Sequence, residues 1–410
     1  MVPRLITDNV AFSFACVGSS RVKAQNAVVN DAGEKWPAPQ LQPILSARHC
    51  TFGIPGMDSE RPTPAIGDID GTRKKLACWL GERHGHEVTI EELRIPESTG
   101  MSNVTLLFDM QWQEGSQTRT ESCVGRLQPV IERPVFPSYD LTLQYEVMDS
   151  LGRNSDIPVP RLLGLETDTS LLGVQFYLMQ HTAGRIPTDM PPYNMDGWMM
   201  HETSEQQRAT MWRAALDTLS QLHRSDYRQL GFSRLLVPDK TPLQQQLAYW
   251  QDYLDWAMEG RGHTLGQQAL AWLDARQPAN EPTVLCWGDS RLGNLIFTEE
   301  LDSVAAVLDW EMATLGNPVQ DLAWFNHMDA TFAEGLGMPR LAGLPSYEDS
   351  IAQWQQHTGY SARDYDYYLI FAGMRFALIM SRIMLATGQD SEIQNNFACQ
   401  LLQKYLDRLG

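Results

Sequence analysis

Three residues carry the densest chemistry in this chain of 410 residues: Asp289, Asn294 and Asp309. Asp289 and Asn294 belong to Trp287-Gly-Asp-Ser-Arg-Leu-Gly-Asn294, a loop between two apolar, strand-like runs, and Asp309 ends the next such run in Val307-Leu-Asp-Trp-Glu311. Groups on loops that follow strands can converge on one point. One carboxylate can orient a hydroxyl and accept its proton. The other carboxylate and the amide oxygen can hold a hard divalent cation against phosphate. That donor set suits phosphoryl transfer. An Asp and an Asn at this spacing more often cap turns. The second acid and the strand context separate this loop from a chance match.

The elements that must position these groups fall into two textures. From Gly71 to Met179 the pattern predicts helices over Gly71–His84 and Tyr139–Leu151, with strands at Thr105–Met110, Ser122–Leu127 and Val174–Met179. After Gly184, helical segments dominate at 203–223, 241–260, 264–275 and Tyr367–Leu385. Short strands at Val284–Trp287, Leu295–Phe297 and Ser303–Leu308 interrupt them. A β-rich half followed by a helical half predicts an α+β fold of two lobes with a ligand cleft between them. The expected boundaries are an irregular N-terminal extension over 1–65, rich in turn formers such as Trp36-Pro-Ala-Pro39, then an N-lobe over 66–182 and a helical C-lobe over 183–410.

Composition narrows the partners. A net charge of -18 argues against nucleic acid, which needs stripes of Lys and Arg. No apolar run approaches the length of a membrane span, so the chain reads as soluble, without a membrane partner. Six cysteines with no CxxC pairing fit a reducing compartment, and a cytoplasmic location is expected. His84 and His86 lack a second ligand pair nearby, which argues against a metal there.

The loop resembles the catalytic loop of protein kinases and of aminoglycoside phosphotransferase-like small-molecule kinases (the aminoglycoside phosphotransferase and choline kinase type). The run Leu308-Asp-Trp-Glu-Met-Ala-Thr-Leu-Gly-Asn-Pro-Val-Gln-Asp-Leu-Ala-Trp324 is similar to that family at nearly every step. It is most like the hydroxyacyl-CoA kinase branch associated with acyl-CoA dehydrogenases. The resemblance covers roughly residues 70–410 and implies a protein kinase-like fold, ATP (with GTP as the alternative), Mg²⁺ and a small-molecule hydroxyl as acceptor. It implies Asp289 as catalytic base and Asn294 and Asp309 as Mg²⁺ ligands. Arg291, two residues after the base, would neutralise the transferring phosphoryl group. Gly100, Ser102 and Asn103 match the phosphate-covering loop, and Arg126 matches the strand cation on the α- and β-phosphates. The helix acid that partners this cation has Gln144 at its place, and Glu146 lies two residues on, about 200° around a helix. The hinge places adenine against Met179, with backbone pairing at Gln180 and Thr182. Trp287 departs from the family, which has His there in support of the loop.

For the acceptor, a hydroxyacyl-CoA or related alcohol is expected, with an aminoglycoside as the alternative. Trp287 and Gln144 motivate a reading of another class, a nucleotide-binding pseudokinase. His223 reads as a packing or capping residue. Tyr249, Trp250, Tyr253 and Trp256 read as core, or as an apolar wall for the acceptor. Arg375 and Arg382 share a helix face and need partners: Asp321 or Glu311 in a structural salt bridge, or a substrate phosphate or CoA.

Overall fold

In a computed structural model of the chain, residues 68–96 and 103–409 are described. The expected N-terminal extension and the candidate residues Gly100 and Ser102 lie outside them. The described part opens with helix α1 (Ile69–His84), capped by the Asp68 carboxylate on the Gly71 N–H at 2.8 Å. It stops at Gly85, whose φ of 69° only glycine adopts readily. Strands β1 (Val88–Arg94), β2 (Val104–Glu114), β3 (Gln117–Leu127), β4 (Leu162–Glu166) and β5 (Phe176–Gln180) form one antiparallel sheet in the order β1-β2-β3-β5-β4. The hairpin β2–β3 turns through Gly115 at φ 63° and stays in register from Val104↔Leu127 to Glu114↔Gln117. Alternation then sorts the sheet's two faces. Leu106, Phe108, Cys123, Phe176 and Leu178 pack with Leu76, Trp79 and Leu80 of α1. Arg126 and Val124 lie opposite Tyr177 and Met179, and those two aromatic and apolar side chains join the core of the helical part.

Helix α2 (Leu141–Asn154) crosses between β3 and β4, capped by the Asp140 carboxylate on Leu143 N–H. Then follow α3 (Trp198–His201), α4 (Glu205–Arg224), α5 (Pro242–Ala257), α6 (Thr264–Ala275), α7 (Val319–Ala330), α8 (Tyr347–Thr358), α9 (Tyr365–Ala386) and α10 (Phe397–Leu409). Two small ribbons, β6 (Val284–Cys286) with β9 (Thr314–Gly316) and β7 (Leu295–Phe297) with β8 (Val304–Val307), sit among these helices. This is a protein kinase-like fold, as the sequence predicts.

Three expectations need correction. Strands β1 and β4 were not expected. On α2 the fully buried side chains include Gln144, while Tyr145, expected on the inner stripe, is only half-buried. Helix α9 is long and apolar enough to cross a membrane, contrary to the expectation that no run is. Its apolar window is 89% buried inside the protein, as in a core helix.

Candidate active site

The catalytic-loop backbone is fixed from beneath. β6 ends at Cys286, and the chain turns through Gly288 at φ 90°. A Cβ at Gly288 would stand 2.0 Å from the Met312 carbonyl oxygen, so glycine is required on two counts. Asp321 on α7, fully buried, accepts from the Trp287 N–H at 2.6 Å through Oδ2 and from the Gly288 N–H at 3.0 Å through Oδ1. Ser290 Oγ donates to the Asp321 carbonyl at 2.7 Å. His223 Nε2 reaches Asp321 Oδ2 at 3.1 Å, and Trp354 Nε1 reaches His223 Nδ1 at 2.9 Å. An indole N–H only donates, so Nδ1 must accept and the imidazole proton sits on Nε2, facing Asp321. His223 is therefore a packed link to the loop clamp.

Asp289 is buried and carries three donors. Trp324 Nε1 lies 2.8 Å from Oδ1, and Asn294 Nδ2 and Arg291 Nε lie 2.8 and 2.9 Å from Oδ2. Burial, and secondly the charge of Asp309, push its carboxyl up to about 7 against those hydrogen bonds. Asn294 spends its amide nitrogen on Asp289, which leaves its oxygen to offer a cation. The Leu308 N–H donates to the Asn294 carbonyl at 2.9 Å, which brings Asp309 alongside. Asp309 itself sits at φ 58°, a strained setting for a side-chain-bearing residue that costs on the order of 1 kcal/mol. Its Oδ1 is buried without a hydrogen-bond partner. Trp287 Nε1 donates to the Leu308 and Asp309 carbonyls at 2.8 and 3.2 Å, so the indole at the family's histidine position fastens the peptide that presents Asp309.

Arg291 is paired on both sides. Besides Asp289 it forms an ion pair with Asp189, a residue the sequence reading missed. Gly293 makes room for that contact, since a Cβ there would meet Asp189 at 2.5 Å. The expectation that Arg291 neutralises a transferring phosphoryl group meets a cation already balanced by two carboxylates. Burial lowers the Arg291 guanidinium below its ordinary value, while Asp309 and Glu311 act the other way.

On the sheet side, Arg126 donates to Thr105 Oγ1 at 2.9 Å and lies opposite Tyr177. Burial works against its charge, but Tyr177, Asp309 and Glu311 outweigh it and raise the guanidinium above its ordinary value. The Tyr177 hydroxyl donates to Gln144 Oε1 at 3.3 Å. Gln144 thus reaches the strand cation through a tyrosine. Glu146 points away, into an exposed ion pair with Arg234. Asn103 is buried at the start of β2.

At the hinge, Met179 is buried beside Val124. The Gln180 N–H already donates to the Arg161 carbonyl at 2.8 Å, and the His181 N–H to the Ser122 carbonyl at 2.8 Å. Of the Gln180 backbone groups expected to pair with adenine, the N–H is thus already in use. The Thr182 N–H donates to no other described residue.

A cavity of about 240 Å³ lies beside the loop, lined by Tyr139, Tyr249, Trp250, Glu311, Met312 and Arg375 among others. Tyr249 and Trp250 do form a wall, whereas Tyr253 is core and holds the Val135 carbonyl at 2.8 Å. Arg382 pairs with Glu259 at 2.7 Å, not with Asp321 or Glu311.

The phosphotransferase enzyme family model, APH, matches residues 135–357, more than half of the chain. The chain belongs to the APH phosphotransferase family. Acyl-CoA dehydrogenase family member 10 of Mus musculus is 28% identical over 351 residues, 83% of this chain and 30% of that protein. The chain spans roughly a third of the length of the curated relatives it matches. A Ralstonia eutropha protein solved under the provisional name aminoglycoside phosphotransferase has a TM-score of 0.60 at 24% identity, covering 82% of this chain and 98% of its own. Aminoglycoside phosphotransferase APH(4)-Ia, solved as a ternary complex with AMP-PNP and hygromycin B, gives a TM-score of 0.50 at 15% identity, covering 82% and 97%.

Within an APH-family chain the residues that sequence reasoning missed are supports. Asp189 comes from a loop about a hundred residues upstream, and no local spacing signals it. Trp324 had a signal, and so did Asp321, which was expected only as a partner for Arg375 or Arg382. They lie one helical turn apart in the run most similar to the family, so one face of α7 presents both to the loop.

Proposed function

We propose that this phosphotransferase moves the γ-phosphate of ATP onto a hydroxyl of a small molecule, with a hydroxyacyl-CoA or a related alcohol as acceptor. The observation that carries the reading is an Asp289 held by three donors beside a buried, unpartnered Asp309 Oδ1. That orphan oxygen and the Asn294 amide oxygen are the hard donors Mg²⁺ prefers. When bound there, Mg²⁺ would supply charge neutralisation at the phosphates.

The chain's own groups do the rest. Three donors hold Asp289 in one orientation, and its remaining acceptor capacity would take the acceptor hydroxyl. The hydroxyl oxygen bonds to the γ-phosphorus, the bond from that phosphorus to the β–γ bridging oxygen breaks, ADP leaves, and the hydroxyl proton passes to Asp289. Arg126 would hold the phosphate chain, and Trp287 and Asp321 would keep the loop from moving during transfer. The acceptor class draws on the acyl-CoA dehydrogenase relative, with the aromatic wall of Tyr249 and Trp250 as an apolar surface for an acyl chain.

The test is a coupled assay of Mg²⁺-dependent ADP release over hydroxyacyl-CoAs, hydroxy acids, aminoglycosides and macrolides. Turnover with an acyl acceptor, lost in Asp289→Ala and Asp309→Ala, is expected. Absence of Mg·ATP binding in calorimetry would overturn the reading.

A further inference from the structure

Arg375 on α9 is only 3% exposed, yet among the described residues no carboxylate lies within ion-pairing distance of it. Its Nη2 donates to the Gly288 carbonyl at 2.9 Å. The guanidinium carbon stands 4.4 Å from the Trp324 ring centroid and 5.4 Å from those of Trp250 and Phe371. Nε is buried with no hydrogen-bond partner. Arg382, two turns further along the same helix, shows how this chain normally settles a buried cation. It holds the Glu259 carboxylate and the Pro134 and Ala257 carbonyls. Asp321 and Asp289 act on Arg375 through their charge, but neither pairs with it. A buried cation left short of a counter-charge is costly. Burial brings its guanidinium down to about 10, against the charges of Asp321 and Asp289.

Arg375 also lines the cavity, and it is the one cation among the lining residues. The Trp324 ring beneath it is the same side chain whose Nε1 holds Asp289. The unfilled donor and the base therefore stand on either side of one indole, next to an apolar wall.

We propose that Arg375 reads the acceptor: its guanidinium, which lines the cavity, donates to an acyl oxygen, a carboxylate or a thioester carbonyl, and so sets a hydroxyl further along the same molecule at Asp289. This rests on the kinase reading above and narrows its acceptor to hydroxy acids or their thioesters. A polycationic aminoglycoside would meet a like charge at this point.

The experiment compares kcat/KM for hydroxybutyryl-CoA, free hydroxybutyrate and the butanediol of the same chain, with the hydroxyl at each position, in the wild type and in Arg375→Gln and Arg375→Lys. The wild type is expected to favour an acyl acceptor over the matching diol by about 10- to 100-fold, the worth of a hydrogen bond from a charged donor. Arg375→Gln should erase most of that preference and Arg375→Lys part of it. The thioester and free-acid arms show which source is read. A purely structural Arg375 would slow all acceptors alike and leave the preference intact, which overturns the proposal. Equal use of diol and acyl acceptor by the wild type overturns it without any variant, even if the variants fail to fold. So does Mg·ATP binding without turnover of any acyl acceptor. No Mg·ATP binding at all sinks the kinase reading instead.

Discussion

The two sides of the cleft are built differently. On the helical side the side chains that fasten the loop backbone and its base are well bonded: Asp321 accepts from two backbone N–H groups and meets His223, Trp287 donates to two carbonyls, and Asp289 accepts from three donors, while Asp309 Oδ1 and Arg375 Nε stay without partners. On the sheet side, Arg126 is linked to α2 through Tyr177 and a glutamine, and Gln144 Nε2 is buried without a partner. A saturated buried network specifies one geometry, while a partly satisfied one is easily rearranged. The catalytic loop is thus held by preset contacts, and the sheet side keeps room to adjust.

Breaking the helical side should cost most. Asp289→Asn removes the proton acceptor, and kcat should fall by about 100- to 10,000-fold in the ADP-release assay. The same carboxyl gives a pH signature. Because Asp289 is pushed up from 3.8 to about 7, kcat/KM should rise with pH, bend at about 7 and level off above it as the base ionises. Its effect on stability has the opposite sign. Between about pH 4 and 7 the folded chain keeps a proton that the unfolded chain has released, so the unfolded state binds fewer protons. Stability relative to Asp289→Asn should therefore fall as pH rises through that window and stay flat above it, as read from urea midpoints.

Asp321→Asn tests the clamp. It turns an amide N–H toward backbone donors and leaves the Trp287 or Gly288 N–H unpaired. A loss on the order of 3 kcal/mol in denaturant unfolding is expected, together with lower kcat. Trp287 gives a finer probe. Trp287→His keeps a ring donor and should retain activity better than Trp287→Phe, which strands the Leu308 and Asp309 carbonyls. Phe should cost about 1–3 kcal/mol of stability. Equal losses in both would mean that indole volume, not its N–H, holds the Asp309 peptide.

The sequence announced the loop because its residues are contiguous, and it announced both lobes because apolar spacing changes from two to three or four at the right place. β4 escaped notice because Leu-Leu-Gly-Leu-Glu has no alternation, and β1 because its pattern breaks at Glu91-Glu92, where the register with β2 shifts. The supports were harder to read. Asp189 reaches Arg291 across about a hundred residues of chain, and nothing near it in sequence marks the contact. Arg382 was expected to find Asp321 or Glu311 and found Glu259, because the α5–α6 turn, not the helix register, decides which acid is nearest.

The sheet side should yield smaller effects, and one of them chooses between the two helix residues near Arg126. Tyr177→Phe removes the hydroxyl that joins Arg126 to Gln144. It should raise KM for ATP several-fold, about 1 kcal/mol, with kcat changed less. Glu146→Gln should do almost nothing, because Glu146 and Arg234 are both about half exposed and such pairs contribute about 0–1 kcal/mol. If Glu146→Gln raised KM for ATP as much as Tyr177→Phe, α2 would have to rotate by about 200° in the nucleotide complex to bring the acid inward. Gln144 would then leave the buried face, and the adjustable side of the cleft would be a moving helix rather than a loosely satisfied one.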